Sequence, residues 1–521
     1  MDSTAEHFDV LIIGAGLAGI SAAYYCQTLC PNKSFTILES RSCMGGTWDL
    51  FKYPGIRSDS DMTTFGYQFN PWMEPDTVSH GPRILNYIKS TAEKFGIDRY
   101  IRYNENVSHA GWNSEESRYT VTVKHTGTET PIIKVYSASF LFICAGYYDY
   151  ESPHLPADFT SLNLSSFKGK VIHPQTWDIN YDYTDKEVLL VGSGATAITL
   201  APCLVKPVDA AAGYNIPGAS SFKHYAKHVT MLQRSPTYVI SLPSTDPVNV
   251  AIRNCKYMPT CVQNLLVFWR VYWGGWSAFF GAQREPAIAK KCLIQQCDNL
   301  LNDGAEAAGR PIIDITRHFT PRYFPWQQRM GVTIDDQFFI AVKSEKLSIK
   351  TDTIKQFVET GVELTSGDVI YTDVIITATG LNLKLCGGIM FSVDGVPFDF
   401  AQSWLYRDSM MTGLPNAMMC IPTGYYYASA TLKYELICRH FCRILQYMDR
   451  WGLKQCQAVN QQSEGMETSQ ILIFESTFVD RSKHLVPKGG DHGPWLRLTL
   501  YLYDYFTMLF RSVATKYMHF K

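Results

Sequence analysis

The sequence predicts an α/β protein with two Rossmann-like dinucleotide-binding domains, the second inserted into the first. An apolar strand, a glycine-rich turn and a helical start follow one another near Phe8, and the same order recurs near Glu187. Two further apolar strands, Phe140–Gly146 and Asp373–Gly380, suit a chain that leaves the first domain and later returns to it. The predicted first domain spans 1–150 and 376–521. The second spans 151–375, with a helical insertion at about 245–310.

Composition limits the class of protein. The chain has 521 residues, is 46% hydrophobic and 18% charged, and carries a net charge of −1, which excludes a typical nucleic-acid-binding protein. Its 14 cysteines form no CxxC pair, so we expect reduced, mostly buried thiols. The first nine residues lack a basic segment, which argues against a secretory signal. Together these features predict a cytoplasmic protein.

The first glycine turn predicts a site for an unphosphorylated adenosine dinucleotide. Gly14, Gly16 and Gly19 directly follow the strand Phe8–Ile13 and open a helix, so backbone N–H groups can approach a pyrophosphate. The next strand ends at Glu39, whose carboxylate suits ribose hydroxyls and would repel a 2′-phosphate. Between the remaining choices of FAD and NAD, the second pair of glycines in Cys43–Trp48 favours FAD.

The second glycine turn predicts NADPH. It follows the strand Glu187–Val191 and runs from Gly192 to Ala197. The next strand ends in Arg234 and Ser235 instead of an acid, and a guanidinium beside a hydroxyl suits a 2′-phosphate. An ordinary surface role for Arg234 stays open. Extra residues from about Lys206 are interpreted as a surface loop.

Two apolar aromatic stretches, Leu265–Phe280 and Trp495–Phe510, have two interpretations each. The first is too short for a transmembrane span and has Arg270 at its centre. Either stretch could be a buried helix or lid that packs on the core. The alternative is a surface helix that contacts a membrane or a partner, which would make the protein peripherally membrane-associated.

A linker motif between the two glycine turns resembles a known family. Phe167, Gly169, His173, Trp177 and Asp178 match the FxGxxxHxxxW(P/D) fingerprint of Baeyer–Villiger monooxygenases. The stretches 45–61, 318–329 and 378–382 resemble the ethionamide-activating type of this family. The resemblance runs from about Phe8 to about Asp449. This sequence departs from the family pattern in the loop after Leu204 and in the aromatic stretch 265–280.

The resemblance implies a role for each matching residue. Arg329 would lie over the flavin ring as the catalytic cation, with Asp59 as its hydrogen-bonding partner, although a structural salt bridge is the alternative for Arg329. His173 and Trp177 would couple rotation of the two domains, unless His173 is simply a satisfied loop histidine. FAD would contact Gly14, Gly16, Ala18, Gly19, Glu39, Thr47, Trp48, Asp49, Leu50, Asp59 and Val107. NADP would contact Arg57, Ser58, Asp59, Gly192, Ser193, Gly194, Ala195, Thr196, Ala197, Ile198, Arg234 and Ser235.

The implied activity is insertion of one oxygen atom of O₂ through a flavin C4a-peroxide. The substrate would be a small apolar ketone, which becomes an ester, or a sulfide or thioamide, which becomes an S-oxide. One alternative is a flavin monooxygenase restricted to soft nitrogen and sulfur nucleophiles. Another is a flavin-binding scaffold without turnover. A flavin disulfide reductase would need a redox cysteine pair, and the sequence has no CxxC motif.

Overall fold

The structure is a computed structural model that describes residues 5–206, 224–421, 424–461, 465–469, 471, 481 and 483–521. The loop predicted after Lys206 falls on 207–223 and so lies outside the described residues. In the described part, two main sheets carry the helices on their faces, as the sequence predicts for an α/β protein.

The strands are numbered in chain order: β1 Glu6–Ile13, β2 Phe35–Leu38, β3 Ile101–Arg102, β4 Glu105–Asn113, β5 Arg118–His125, β6 Ile132–Ile143, β7 Lys170–Ile172, β8 Glu187–Val191, β9 His228–Gln233, β10 Val239–Leu242, β11 Gly331–Ile334, β12 Leu347–Thr351, β13 Ile354–Val358, β14 Gly361–Leu364, β15 Val369–Tyr371, β16 Val374–Thr377, β17 Met390–Val393, β18 Val396–Pro397, β19 Leu405–Tyr406, β20 Met410–Met411, β21 Ala417–Met419, β22 Cys456–Ala458 and β23 Met518–Phe520. The α-helices are α1 Leu17–Leu29, α2 Thr47–Leu50, α3 Met62–Phe65, α4 Gly81–Lys94, α5 Asp158–Ser161, α6 Ala195–Val205, α7 Pro247–Arg253, α8 Thr260–Arg284, α9 Pro286–Asn302, α10 Ile315–Phe319, α11 Gln337–Lys343, α12 Ala430–Trp451 and α13 Tyr501–Leu509.

The first sheet is built around β1. This strand pairs in parallel with β2 on one side and β6 on the other, and α1 makes the crossover from β1 to β2. The sheet order is β18-β17-β4-β5-β6-β1-β2-β3, with β21 also paired to β6. Strands β17, β18 and β21 come from the chain after residue 389, so two distant parts of the sequence complete one sheet. The predicted insertion of the second domain into the first is therefore confirmed.

The second sheet is parallel throughout, in the order β12-β9-β8-β16-β7. Its central strands β8 and β16 are apolar and buried on both faces, as expected for a parallel sheet covered by helices. All of β16, including Thr377, pairs within this sheet. The next strand of the first sheet, β17, begins at Met390, so the predicted boundary at 375 stays a prediction.

The apolar stretch 265–280 lies in α8, within a helical insertion formed by α7, α8 and α9. One side of α8 is buried against the core through Phe268, Tyr272 and Phe279. Another side is exposed and includes Leu265 and Trp273. The stretch is thus a helix that packs on the core, and it also leaves apolar side chains uncovered.

The C-terminal segment is fixed to α12 by a buried ionic cluster. Lys433 Nζ lies 3.0 Å from Asp408 Oδ2 and 2.6 Å from Asp504 Oδ2, and only 2% of the Lys433 side chain is exposed. Tyr425 donates its hydroxyl proton to the same Asp504 oxygen at 2.8 Å. Since Asp504 belongs to α13, this cluster connects the end of the chain to the segment around Tyr425.

Two further expectations concern cysteines and membranes. All 14 cysteines lie in the described part of the chain and all are free thiols. Nine of them are buried, as the sequence led us to expect. Among the described residues, no helix has the length and apolar character needed to cross a membrane.

Candidate functional site

A cavity of about 1030 Å³ lies where the first sheet, the helical insertion and the C-terminal part of the chain meet. Gly14 and Gly146, which follow β1 and β6, form one wall. Arg57 and Arg329 form another. The cavity therefore opens at the carboxyl ends of parallel strands, where ligands bind in open α/β sheets.

The first glycine turn presents bare backbone to this cavity. Gly14 has a φ of +103°, and a Cβ there would come 2.5 Å from the carbonyl oxygen of Cys144. Gly16 is the N-cap of α1, and no side chain caps that helix end. Ala15 donates its N–H to Glu39 Oε2 at 2.7 Å, which fixes the carboxylate beside the turn. Burial raises the pKa of Glu39, although the N–H groups of Ala15 and Arg41 oppose the shift.

Most of the residues predicted for FAD line the cavity. They are Gly14, Gly16, Ala18, Glu39, Thr47, Trp48, Asp59 and Val107. Gly19, Asp49 and Leu50 do not line it. Gly19 packs against the turn, where an added Cβ would lie 1.9 Å from the Gly14 carbonyl oxygen. Asp49 is buried and forms an ion pair with Arg41. This pair stabilises the Cys43–Trp48 segment, which lies between the two residues in the sequence.

A cluster of three charges occupies the far side of the cavity. Asp59 is close enough to Arg57 and Arg329 for both charges to lower its pKa, but burial is the larger effect and the net direction is upward. Arg57 is 7% exposed and donates from Nη2 to the carbonyl oxygen of Val332 at 2.5 Å. Its Nε is buried without a hydrogen-bond partner in the described structure. A buried, unpartnered guanidinium nitrogen on a cavity wall points to a ligand that supplies the missing acceptor.

Arg329 projects into the cavity among three tyrosines that the sequence analysis missed. The side chain is exposed, and the surface it exposes lines the cavity. Burial within the protein lowers the pKa of Arg329, but Tyr147, Tyr148 and Asp59 outweigh it, so the pKa rises. Tyr434 of α12 also contributes. The one sequence signal for these tyrosines is that Tyr147 and Tyr148 follow β6, at the same sheet edge as the first glycine turn.

The second glycine turn lies outside this cavity. Gly192 has a φ of +128° and packs on Ala378, whereas a Cβ on Gly194 would meet nothing within 4 Å. Ser193 donates its hydroxyl proton to the Ser235 carbonyl oxygen at 3.1 Å, which joins the turn to the end of β9. Arg234 is exposed there. None of Gly192, Ser193, Gly194, Ala195, Thr196, Ala197, Ile198, Arg234 and Ser235 lines the cavity, whereas Arg57, Ser58 and Asp59 do.

The linker fingerprint connects the outgoing and returning chains. His173 donates from Nε2 to the Gly380 carbonyl oxygen at 3.2 Å and accepts at Nδ1 from the Gln175 N–H at 3.1 Å. Burial lowers the pKa of His173, so the neutral ring that makes both bonds is favoured. Both ring nitrogens of His173 therefore have partners within the linker, and its predicted role in coupling the two domains stays a prediction.

The other fingerprint residues contact different neighbours. An added Cβ on Gly169 would lie 2.4 Å from the Phe167 ring and 2.3 Å from the Asp373 carbonyl oxygen, so only glycine fits. Trp177 is buried against Tyr183, with ring centroids 6.2 Å apart. Asp178 accepts a hydrogen bond from the Asn180 N–H at 3.0 Å. None of these residues lines the cavity.

The residues of the cavity fit a dinucleotide. The uncapped helix end and the bare turn suit a pyrophosphate, Glu39 suits a ribose, and the Nε of Arg57 requires an acceptor. The N-terminus of α6 likewise has no side-chain cap, because its N-cap residue is Gly194. The fold and the two helix ends together define a class of α/β protein with two dinucleotide-binding domains.

Comparison with known proteins identifies the family. A family model described as flavin-binding monooxygenase-like matches residues 8–211. "FAD-containing monooxygenase EthA" of Mycolicibacterium smegmatis is 39% identical and aligns over 99% of this chain and 97% of its own length. EthA of Mycobacterium tuberculosis is 40% identical over 96% of this chain and 94% of its own. The chain belongs to the family of FAD-containing monooxygenases.

A solved structure described as an oxidized steroid monooxygenase bound to NADP has a similar fold. Its TM-score is 0.65 at 20% sequence identity, and the match covers 87% of this chain and 88% of that one. This likeness confirms the fold class predicted from the two glycine turns.

We predict that Gly16→Ala lowers the affinity for FAD by at least about tenfold without unfolding the protein. A Cβ at Gly16 would lie 3.7 Å from the Gly46 Cα, an ordinary contact, so the chain itself tolerates the methyl group. The same methyl group would occupy the face that a pyrophosphate must approach. Visible flavin absorbance of the purified variant, together with its circular dichroism spectrum, measures both effects.

Gly194→Ala is the matched control, because the protein tolerates a Cβ there too: it would meet no described atom within 4 Å. That variant should keep its flavin. A Gly16→Ala protein with full FAD content would show that the first turn is not the flavin site.

Proposed function

We propose that the protein is an FAD- and NADPH-dependent monooxygenase that inserts one oxygen atom of O₂ into a small apolar substrate. The substrate is a ketone, which becomes an ester, or a sulfide or thioamide, which becomes an S-oxide. The observation that carries the proposal is Arg329, a cation held inside the cavity beside Asp59 and three tyrosines. Membership of the FAD-containing monooxygenase family supports it.

Bound FAD supplies hydride acceptance and O₂ activation, and the protein supplies binding, orientation and electrostatics. Arg329 places a permanent positive charge beside the reacting atoms, since a guanidinium stays protonated in proteins. A fixed cation stabilises the negative charge that develops on the substrate oxygen in the transition state. The carboxylate of Asp59 would attract that cation as well as the guanidinium of Arg57.

The first glycine turn is assigned to FAD. The N–H groups at the start of α1 would bind the pyrophosphate, and Glu39 would accept hydrogen bonds from the ribose. Thr47, Trp48 and Val107 would form the walls along the rest of the cofactor. Asp49 would act indirectly, because its contact with Arg41 fixes the segment that carries Thr47 and Trp48.

The second glycine turn is assigned to NADPH. The uncapped end of α6 would bind the pyrophosphate, and Arg234 with Ser235 would bind the 2′-phosphate. Arg57 and Ser58 would meet the nicotinamide half, since they line the cavity that also contains Arg329. This assignment places hydride donor and acceptor in the same cavity.

We predict that Arg234→Ala raises the KM for NADPH about 10- to 100-fold and changes the KM for NADH little. The loss of one charge-assisted hydrogen bond to a phosphate costs roughly 1.5–3 kcal/mol. Initial rates of coenzyme oxidation with each nicotinamide measure the change. Lys227→Ala is the control, because this exposed cation lies at the opposite end of β9. A wild-type preference for NADH would contradict the assignment.

We predict that Arg329→Ala separates coenzyme oxidation from oxygen insertion. The variant should bind FAD and consume NADPH, while oxygenated product falls by about 10²–10³ and hydrogen peroxide appears instead. Arg329→Lys should restore only part of the yield, because an ammonium lacks the planar fork. NADPH loss, peroxide and product are measured in parallel on a panel of ketones and sulfides.

Arg322→Ala is the control, because Arg322 is exposed in the same segment and does not line the cavity. If Arg329→Ala gave the wild-type yield of product, the catalytic assignment of Arg329 would be wrong and its alternative structural role would be favoured. Product from sulfides but from no ketone would favour the soft-nucleophile monooxygenase over the Baeyer–Villiger reaction.

We also propose that the protein is cytoplasmic and contacts a membrane peripherally through the end of α13. Phe506 and Phe510 are 59% and 66% exposed, and their rings lie together with Tyr505. Arg439 lies over the Tyr505 ring, and Arg511 is exposed at the helix end. Exposed aromatic rings beside arginines match the headgroup region of an anionic bilayer.

We predict that the protein sediments with phosphatidylglycerol vesicles, and that Phe506→Ser with Phe510→Ser lowers the bound fraction severalfold. Raised salt should weaken the same binding, because the arginines act through screened charges. Tyr371→Ser is the control, since Tyr371 is 70% exposed but lies in β15. Unchanged sedimentation of the double variant would contradict the proposed contact.

A further inference from the structure

Two adjacent tyrosines follow β6 and line the cavity that also contains Arg329. Tyr148 donates its hydroxyl proton to the Tyr147 hydroxyl oxygen at 3.0 Å, and the two ring centroids lie 4.2 Å apart. The Tyr147 oxygen is therefore the acceptor of this pair, and its own proton is left for another partner. Among the described residues, the Tyr147 hydroxyl makes no second hydrogen bond. A ligand in the cavity could accept that proton.

The backbone fixes both tyrosines in place. The Lys384 N–H donates to the Tyr147 carbonyl oxygen at 2.9 Å, and the Asp149 N–H donates to the Asn382 carbonyl oxygen at 2.9 Å. These two bonds flank Tyr148 and join the end of β6 to the returning chain. A hydroxyl on a segment that is already ordered loses little conformational freedom when it binds a ligand. The Tyr147 hydroxyl is thus a preorganised donor.

The electrostatics of Arg329 show that the Tyr147 hydroxyl lies near its guanidinium. Among the groups that raise the pKa of Arg329, Tyr147 has the largest effect, ahead of Tyr148 and Asp59. Burial raises the pKa of Tyr148 well above its ordinary value, so the Tyr148 hydroxyl stays protonated near neutral pH and keeps donating to Tyr147. Two donors of different kinds, a guanidinium and a phenol, therefore act on the same part of the cavity.

Ketones and sulfides make different demands on such a pair of donors. A ketone with O₂, NADPH and a proton gives an ester, NADP⁺ and water, and a sulfide with the same partners gives an S-oxide, NADP⁺ and water. Only in the ketone reaction does a carbonyl carbon become tetrahedral, so that its oxygen gains negative charge. A sulfide has no oxygen atom of its own on which such charge can develop.

We propose that the Tyr147 hydroxyl is a second donor to the ketone carbonyl oxygen, beside Arg329, and that Tyr148 positions it. The inference rests on the function proposed above and assigns the residue that favours ketone oxidation over S-oxygenation. Arg329 serves both reactions through its fixed charge, whereas Tyr147 serves only the ketone. Because Tyr148 donates to the Tyr147 oxygen, it also strengthens the hydrogen bond that Tyr147 gives. The O–H bond of Tyr147 stays intact, and no proton is transferred.

The test is Tyr147→Phe in the holoenzyme, assayed with 2-hexanone and methyl butyl sulfide, which differ only in a carbonyl group or a sulfur atom. We expect kcat for the ketone to fall about 10- to 100-fold, because a donor to the developing oxyanion is lost. KM for the ketone and both constants for the sulfide should stay within about threefold of wild type, as expected when an interaction acts mainly in the transition state.

Two further variants accompany it. Tyr148→Phe should show the same selectivity more weakly, because Tyr147 keeps its own proton but loses the donor that positions it. Tyr323→Phe is the matched control, because it removes a half-buried hydroxyl, 3.3 Å from the Thr237 hydroxyl, that does not line the cavity. This control should match wild type with both substrates.

Two kinetic results would overturn the proposal. Equal losses with ketone and sulfide from Tyr147→Phe would show that the tyrosine has only a structural role. A ketone-selective loss from Tyr434→Phe, with Tyr147→Phe unchanged, would assign the donor to the other tyrosine that acts on Arg329.

The carbonyl stretching band of bound 2-hexanone, labelled with ¹³C at its carbonyl, is a readout that needs no turnover. It is measured by infrared difference spectroscopy on the oxidised holoenzyme with NADP⁺. A hydrogen bond lowers the stretching frequency, so the band should lie higher in Tyr147→Phe than in wild type and should not move in Tyr323→Phe. The absence of a bound-ketone band in wild type would overturn the proposed donor.

The same spectrum separates this inference from the proposed function. If wild type oxygenates nothing but the band moves in Tyr147→Phe, the activity is wrong and the donor stands. If wild type oxygenates the ketone and Tyr147→Phe gives the wild-type band and the wild-type kcat, the donor is wrong and the activity stands.

Discussion

The charge of one carboxylate, Asp59, acts on two arginines that line the same cavity, and the account of the site depends on this interaction. Asp59 is drawn from the first part of the chain, and Arg329 comes from the far end of the inserted region. Arg57, two residues before Asp59, donates a hydrogen bond to the Val332 carbonyl oxygen in β11, three residues after Arg329. This bond connects the segment that carries Asp59 to the segment that carries Arg329. Asp59 carries the charge opposite to both guanidinium groups, so it offsets the repulsion between them in the cavity that all three residues line.

The surrounding fold supplies what this cluster needs. The first sheet places a bare glycine turn at the same cavity, and the linker through His173 fixes where the chain enters and leaves the second sheet. The C-terminal helix supports the cavity wall from outside the cavity, because Tyr425 on that wall donates a hydrogen bond to Asp504 of the buried Lys433–Asp504 ion pair. Each of these contacts joins parts of the sequence that are far apart.

The features that could be predicted from sequence are those with a local pattern. A buried strand, a glycine turn and a helix occupy some twenty consecutive residues, and Glu39 marks the end of the very next strand. The two sheets and the insertion could be predicted because that pattern occurs twice in the sequence. Arg329 came only from family resemblance, because nothing in its immediate sequence shows that it faces Asp59.

The features that were missed depend on long-range packing. Tyr148 and Tyr434 meet near Arg329 although 286 positions separate them in the sequence, and no periodicity reports such a contact. In α8, apolar residues occur on nearly every side, so the sequence pattern could not show which face lines a cavity. Asp49 pairs with Arg41 and does not line the cavity, so its predicted contact with FAD stays a prediction.

The most direct test of the account follows the oxygen atom. The holoenzyme is supplied with NADPH, ¹⁸O₂ and ordinary water, with a ketone and a sulfide as substrates, and the products are analysed by mass spectrometry. The account predicts that each oxygenated product contains one ¹⁸O atom and that one NADPH is consumed for each product formed. Product without ¹⁸O, or NADPH oxidation that yields hydrogen peroxide and no oxygenated product from any substrate, would contradict it.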